Sequence, residues 1–191
     1  MISSASNFLL NTLLNMLTLL FLLRFFLQLF KAPFNNPLSY MVVSLTDFAV
    51  KPARKVIPSW GKIDLSTLVL AIITQLLLQL GMLALRDLPL SLVGNSVWIS
   101  VIGMSVLGVI RSGLDVFFYA ILLQAILSWV NPQSPISGVL NSLTRPILAP
   151  IQRILPMASG MDFSPIVALI LIQMLNVSVI ATLQQQLLNL Y

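Results

Sequence analysis

The chain has 191 residues, 58% of them hydrophobic and 8% charged, with ten Lys and Arg against five Asp and a net charge of +5. A soluble domain carries about 25% charged residues, so this composition excludes a water-soluble globular fold and points to an integral membrane protein. It has no Cys, His or Glu, which removes disulfides, thiolate chemistry and most general-base and metal sites.

The first apolar run covers 8–30, and no basic segment or small-x-small cleavage site precedes it. It is expected to be a retained span, not a removed signal peptide. Its polar interruptions include Asn11, Asn15, Thr18, Arg24 and Gln28. Arg24 lies near the end leading to Lys31 and can snorkel there. A second run, 65–85, has no charge and stops at Arg86-Asp87. The last run, 163–183, is also uncharged. About 20 helical residues cross the hydrocarbon, so each run is long enough to span it. Residues 89–130 form a largely apolar run interrupted by Arg111, Gly113 and Asp115. That is about 60 Å of helix, twice the bilayer core. The segment is expected to be one span preceded by an interfacial, re-entrant or tilted extension over 89–105, or else two short spans.

An internal repeat favours the single span. Shifting the chain by 98 residues aligns 36–77 with 134–175 without a gap, with 13 identities in 42 positions. Apolar matches come cheaply in membrane helices. Three prolines, Asp64/Asp162 and Gln75/Gln173 in register do not. The expected organisation is all-α: a first repeat over 1–88, a connector over 89–105 and a second repeat over 106–191, each read as span, amphipathic interfacial helix and span. The first linker, 31–64, carries Lys31, Lys51, Arg54, Lys55 and Lys62; the second, 131–162, carries Arg145 and Arg153. The excess of basic residues places both linkers in the cytoplasm, with four spans and both termini outside. Five spans with inverted repeats would put the linkers on opposite faces.

Asn36-Pro37 and Ser134-Pro135 are helix-start signals. The apolar positions Leu38, Met41, Val42, Leu45, Phe48 and Ala49, and likewise Ile136, Val139, Leu140, Leu143 and Ile147, follow helical spacing. Pro52 and Pro150 are expected to break these helices. Such helices lie in the interface, basic residues toward anionic headgroups. Pro156 then ends the second interfacial helix, and Pro58 is its counterpart in the first repeat. Asp64 with Ser66, and Asp162 with Ser164 and Pro165, supply caps and a first-turn proline that steer the chain back into the bilayer. The other reading has Asp64 and Asp162 facing one another to bind a cation or partner.

Arg111 and Asp115 share one helix face and serve as a structural pair or a functional intramembrane site. Gln75, Gln124 and Gln173 are expected to fix helix packing or to line a polar path. No catalytic constellation and no Gly-rich phosphate loop is present, so no enzymatic activity and no cofactor are expected.

The doubled pattern Pro52-x-Arg54-Lys55-x-Ile57-Pro58 with Asp64-x-Ser66, and Arg145-Pro146 through Pro150-x-x-Arg153-x-Leu155-Pro156 with Gly160-Met161-Asp162-Phe163-Ser164-Pro165, resembles the YggT family (also called YlmG), small bacterial and plastid membrane proteins. The likeness covers nearly the whole chain in two copies, and the second copy is the closer. Gln152-Arg153 stands where the family often has two basic residues, Ser159-Gly160 replaces a Gly-Gly pair, and the first copy lacks the Phe-Ser-Pro ending. The resemblance implies a bacterial inner-membrane protein. It also implies an accessory role, since the family is associated with osmotic or ion homeostasis, cell-division neighbourhoods, plastid nucleoid distribution and cytochrome assembly. The expectation is a non-enzymatic scaffold whose linkers meet membrane lipids and other membrane proteins or further copies of the chain, without direct nucleic-acid binding. A small oligomeric channel or transporter subunit is the alternative.

Overall fold

The computed structural model describes residues 2–61, 63–85, 94–155 and 162–189. The calls on Lys62, Arg86, Pro156, Ser159, Gly160 and 89–93 lie outside the described residues. Among those described, the elements are helices α1 (Ile2–Leu29), α2 (Pro37–Val56), α3 (Leu65–Ala84), α4 (Asn95–Val130), α5 (Ser137–Ile154) and α6 (Ser164–Met174), a π-helical stretch (Leu175–Ile180), and α7 (Ala181–Leu188). Among the described residues four helical stretches are long and apolar enough to cross a bilayer: Ala5–Leu29, Leu65–Ala84, Ser96–Val130 and Ser164–Leu188. Their outward stripes, such as Ile99, Ile102, Val106 and Ile110 on α4, repeat every three or four residues and suit hydrocarbon, not water.

Residues 95–105 run without a break into 106–130, so no helix boundary falls at 105. The 36 residues of α4 reach about 54 Å, well beyond a hydrocarbon core of about 30 Å. Trp98 and Trp129, both exposed, mark its two ends about 46 Å apart. Tryptophan collects at the membrane–water boundaries, and that spacing is close to the full bilayer thickness of about 40–45 Å.

Helix ends follow local chemistry. Asn36 Oδ1 accepts the Ser39 N–H at 2.9 Å, with Pro37 in the first turn of α2. At the end of α1 the chain reverses through Lys31, which has φ +52°. Ala32 N–H reaches Leu27 O at 2.9 Å and Lys31 N–H reaches Gln28 O at 3.2 Å, the paired bonds of a Schellman cap. Leu27 and Ala32 meet in one core cluster, the hydrophobic contact that goes with such a cap.

Two sequence expectations are corrected. Ser134-Pro135 does not start α5: residues 131–137 make two successive turns, through Ser134 N–H to Asn131 O and Ser137 N–H to Ser134 O, and the helix begins at Ser137. Pro52 and Pro150 do not break the linker helices either; both lie inside continuous helices, α5 also holding Pro146. Proline removes one amide donor and crowds the carbonyl four residues earlier. Both prolines are exposed, where water or headgroups can take the freed carbonyl.

The core forms three linked clusters. Phe21, Leu22, Val50, Ala71 and Val116 join α1, α2, α3 and α4. Leu20, Leu27, Val42, Ala120, Val139 and Leu143 join α1, α2, α4 and α5. Ile121, Leu148, Ala168 and Ile172 join α4, α5 and α6. Phe26 and Phe117, with ring centroids 4.7 Å apart, bridge α1 and α4. Helix α3 lies against both α1 and α4, whereas α6 packs on α4 and α5.

Candidate functional site

Two places gather the polar and charged residues: the end of the bundle that carries α2 and α5, and a cavity in the opposite half.

At the linker end, α2 does not present one apolar stripe. Its bundle-facing row is Ser39, Val42, Thr46 and Val50, all buried. Met41, Leu45 and Phe48 are exposed instead. Of its polar members, Ser39 bonds Asn36 at the helix start and Thr46 serves Arg24. This arginine does not snorkel outward; the residue is 6% exposed. It donates to Thr46 Oγ1 at 2.7 Å and to Asp47 Oδ1 at 2.8 Å. Lys51, four residues on, closes on the other Asp47 oxygen at 2.8 Å. These hydrogen bonds, first from Lys51 and then from Arg24, hold the Asp47 carboxyl below its ordinary value, against a smaller opposing effect of burial.

Arg54 belongs to a second pair. It binds Asp64, which is fully buried, and donates to Gln28 Oε1 at 3.1 Å. Ser66 Oγ donates to Ile57 O at 2.6 Å, tying the end of α2 to the start of α3. Pro58 lies in the short connection between them. At the positions 98 residues later, Gln152 Nε2 donates to Asp162 Oδ2 at 2.8 Å. Asp162 Oδ1 accepts the Ser164 N–H at 2.9 Å, and Pro165 sits in the first turn of α6. Burial raises the Asp162 carboxyl, but the hydrogen bonds from Ser164 and Gln152 outweigh it and leave it below its ordinary value. Each aspartate is thus engaged close to its own span: Asp64 by Arg54, Asp162 by Ser164 and Gln152.

Lys51, Lys55, Arg145 and Arg153 are exposed at this end. So are Phe48, Val56, Trp60, Trp129 and Ile154, with Trp129 at 86% exposure. Gln124 does not join the intramembrane polar set. It lies beneath α5, in hydrogen-bond contact with Thr144.

In the other half, a cavity of about 600 Å³ lies between α1, α3, α4 and α7. Gln75, Arg111 and Asp115 all line it. Gln75 is buried, and its Nε2 donates to Asn15 Oδ1 at 2.9 Å and to Thr18 Oγ1 at 3.2 Å. Asn15 Nδ2 passes the chain on to Asn11 Oδ1 at 2.6 Å. The Gln75 amide fits because α4 offers Gly108: a Cβ there would stand 2.2 Å from Gln75 Oε1. Gln79 and Gln184 add further amides to the lining. Arg111 and Asp115, although four residues apart, make no ion pair within 4.0 Å. Asp115 Oδ1 accepts from Asn176 Nδ2 at 3.2 Å instead, and Asn176 stands in the π-helical stretch. Gln173, the repeat counterpart of Gln75, is exposed on the outer face of α6 among Ile170, Met174 and Val177.

Sequence reasoning missed Asp47 and Gln184. Asp47 had a signal: it precedes Lys51 by four residues on a helix, and Arg24 was a lone intramembrane charge in need of a partner. Gln184 had none, because its role depends on where α7 comes to lie. Among the described residues no group of three or more metal-ligating side chains occurs.

Four apolar helices with lipid-facing stripes and interfacial tryptophans define a multi-pass α-helical membrane protein. The chain belongs to the CCB3/YggT family, whose model matches residues 3–85 and 103–183. It is 38% identical to the Pseudomonas aeruginosa protein PA0392 over 152 residues, 78% of this chain and 75% of that one. It is 35% identical to YggT of Escherichia coli K12 over 153 residues, 79% and 76% of the two chains. A Vibrio alginolyticus protein from the proC 3′ region is 34% identical over 148 residues, 75% and 76%. None of these names states an activity, substrate or partner. No solved structure matches the chain.

Proposed function

We propose that this protein is a non-enzymatic scaffold of the bacterial inner membrane. In this reading the α2/α5 end meets the cytoplasmic leaflet, both termini are periplasmic, and the chain is two copies of one span–linker–span unit. One observation carries it: exposed Lys51, Lys55, Arg145 and Arg153 share the linker end with exposed Phe48, Trp60 and Trp129. Basic residues beside interfacial aromatics suit an anionic cytoplasmic surface. The repeat draws support from the matched ends of α2 and α5. Their caps, Ile57 and Leu155, lie 98 residues apart with φ, ψ of −118°, 97° and −105°, 99°. Arg54–Asp64 and Gln152–Asp162 add a matched contact. The scaffold would hold anionic lipid and recruit other membrane proteins or further copies of itself, in envelope, division or osmotic processes.

The test is substitution of Lys55, Arg145 and Arg153 by glutamine. These are chosen over Arg54, whose loss would strand Asp64. Phosphatidylglycerol retained by the purified protein in native mass spectrometry, and cross-linked partners recovered from cells, are both expected to fall with insertion unchanged. Unchanged lipid retention and recovery would refute the reading. Single cysteines at positions 51 and 153 should react with an impermeant maleimide from the cytoplasmic side, and one at position 97 from the periplasmic side. The polar cavity favours a second reading, a small oligomeric channel or transporter subunit. Flux in proteoliposomes that is lost in Asp115→Asn would support it, and no flux from correctly inserted protein would refute it.

A further inference from the structure

The cavity between α1, α3, α4 and α7 poses a question that the linker surface does not answer. Arg111 sits about 20 Å along α4 from Trp98 and about 27 Å from Trp129, well inside the membrane-spanning part. Intramembrane charges are costly and face polar interiors or partners. Here a cation and a carboxylate line the same space without a direct bridge. No protein acceptor among the described residues takes a hydrogen bond from the Arg111 guanidinium, and only one Asp115 oxygen is engaged. Asn11 Oδ1 and Asn15 Oδ1 are occupied by the amide chain from Gln75. Arg111, Asn11 and Tyr119 are exposed, so the cavity is open to the outside. Its volume of about 600 Å³ falls in the range of small-molecule sites, about 300–1,000 Å³.

We propose that this cavity binds a small zwitterion, an ammonium and an oxyanion on one molecule, with the oxyanion on Arg111 and the ammonium on the free oxygen of Asp115. The two charges of the lining sum to zero. A pure anion would leave Asp115 without a counter-charge, and a pure cation would leave Arg111 so. A ligand with both signs compensates each. Two sources carry this chemistry: the phosphoethanolamine headgroup of a lipid entering between helices, and a free amino acid entering from water. The inference is independent of the scaffold reading, since none of its residues lies on α2 or α5.

The experiment uses the full-length protein in phosphatidylglycerol nanodiscs. One arm adds phosphatidylethanolamine and reads retained lipid by native mass spectrometry. The other adds glycine or alanine and reads thermal stabilisation. Inorganic phosphate and methylammonium, which each carry one sign of charge, are the controls. Retained phosphatidylethanolamine with no response to amino acids would assign the headgroup; the reverse would assign the free compound. In either case Arg111→Gln and Asp115→Asn should each weaken binding by about tenfold or more. Binding that survives both substitutions, an equal response to phosphate alone or methylammonium alone, or no binding in either arm would overturn the proposal. The ligand series is run on the unsubstituted protein, so the test stands even if a variant fails to fold.

Discussion

Replacing Gly108 with alanine probes how α3 and α4 meet. The added Cβ would stand 2.2 Å from Gln75 Oε1 and 2.8 Å from its Cδ, where real contacts do not fall below 3.0 Å. The end of a glutamine is usually free to swing away. This one is not: it is buried, and Nε2 is tethered to Asn15 and Thr18 on α1. Retreat costs those bonds, about 0.6 kcal/mol each for an interhelical hydrogen bond in a membrane. Staying in place costs overpacking strain, about 1–3 kcal/mol. Gly108→Ala is therefore expected to destabilise the fold by about 1–3 kcal/mol. The assay is unfolding of the purified protein in mixed micelles with increasing dodecyl sulfate, followed by circular dichroism. In a Gln75→Ala background the space is open, and the same substitution should cost less than about 0.5 kcal/mol. Equal costs in both backgrounds, additive within that margin, would refute the proposed contact.

Arg54→Leu should destabilise by about 3–5 kcal/mol, because it strands the buried Asp64 carboxylate. Arg54→Lys should cost clearly less, since it keeps a positive charge beside the buried carboxylate; equal losses in the unfolding assay would count against the pairing. The Asp47 carboxyl is held below 3.8 by Lys51 and Arg24, so its folded value lies under its unfolded one. Its contribution is present above that unfolded value and is lost as pH falls through the folded one, below about pH 4. Melting curves at descending pH should show a steeper acid loss for the native protein than for Asp47→Asn, and parallel curves would contradict this. Lys31→Gly should raise stability by about 0.5–1 kcal/mol, as glycine accepts φ +52° without the left-handed penalty. A loss in the same assay would mean that the lysine side chain contributes more than its backbone costs.

The class of protein was legible from composition and run length. Hydrocarbon thickness is a one-dimensional constraint, and a chain either meets it or does not. Spans expected at 65–85 and 163–183 appear at Leu65–Ala84 and Ser164–Leu188. The Asn36 cap was equally readable, because it uses bonds within four residues. The proline expectation failed for a related reason. Local rules price a proline against a helix in isolation, whereas Pro52 and Pro150 sit in helices held from one side by the bundle and open to solvent on the other.

Which polar residues meet was decided only by the tertiary structure. Gln75 and Gln173 occupy equivalent sequence positions, yet one is buried and bonded while the other faces outward. Helix α3 is enclosed by α1 with Asn15, by α4 with Gly108 and by α2, whereas among the described residues α6 packs chiefly on α4 and α5. Arg111 and Asp115 likewise share a helix face, but Asn176, brought in from a distant π-helical stretch, takes the carboxylate. Sequence spacing sets the face of a helix on which a side chain stands. The rotation of that helix, and what packs against it, depends on contacts far along the chain, so spans and caps follow from the sequence while the polar cavity follows from the fold.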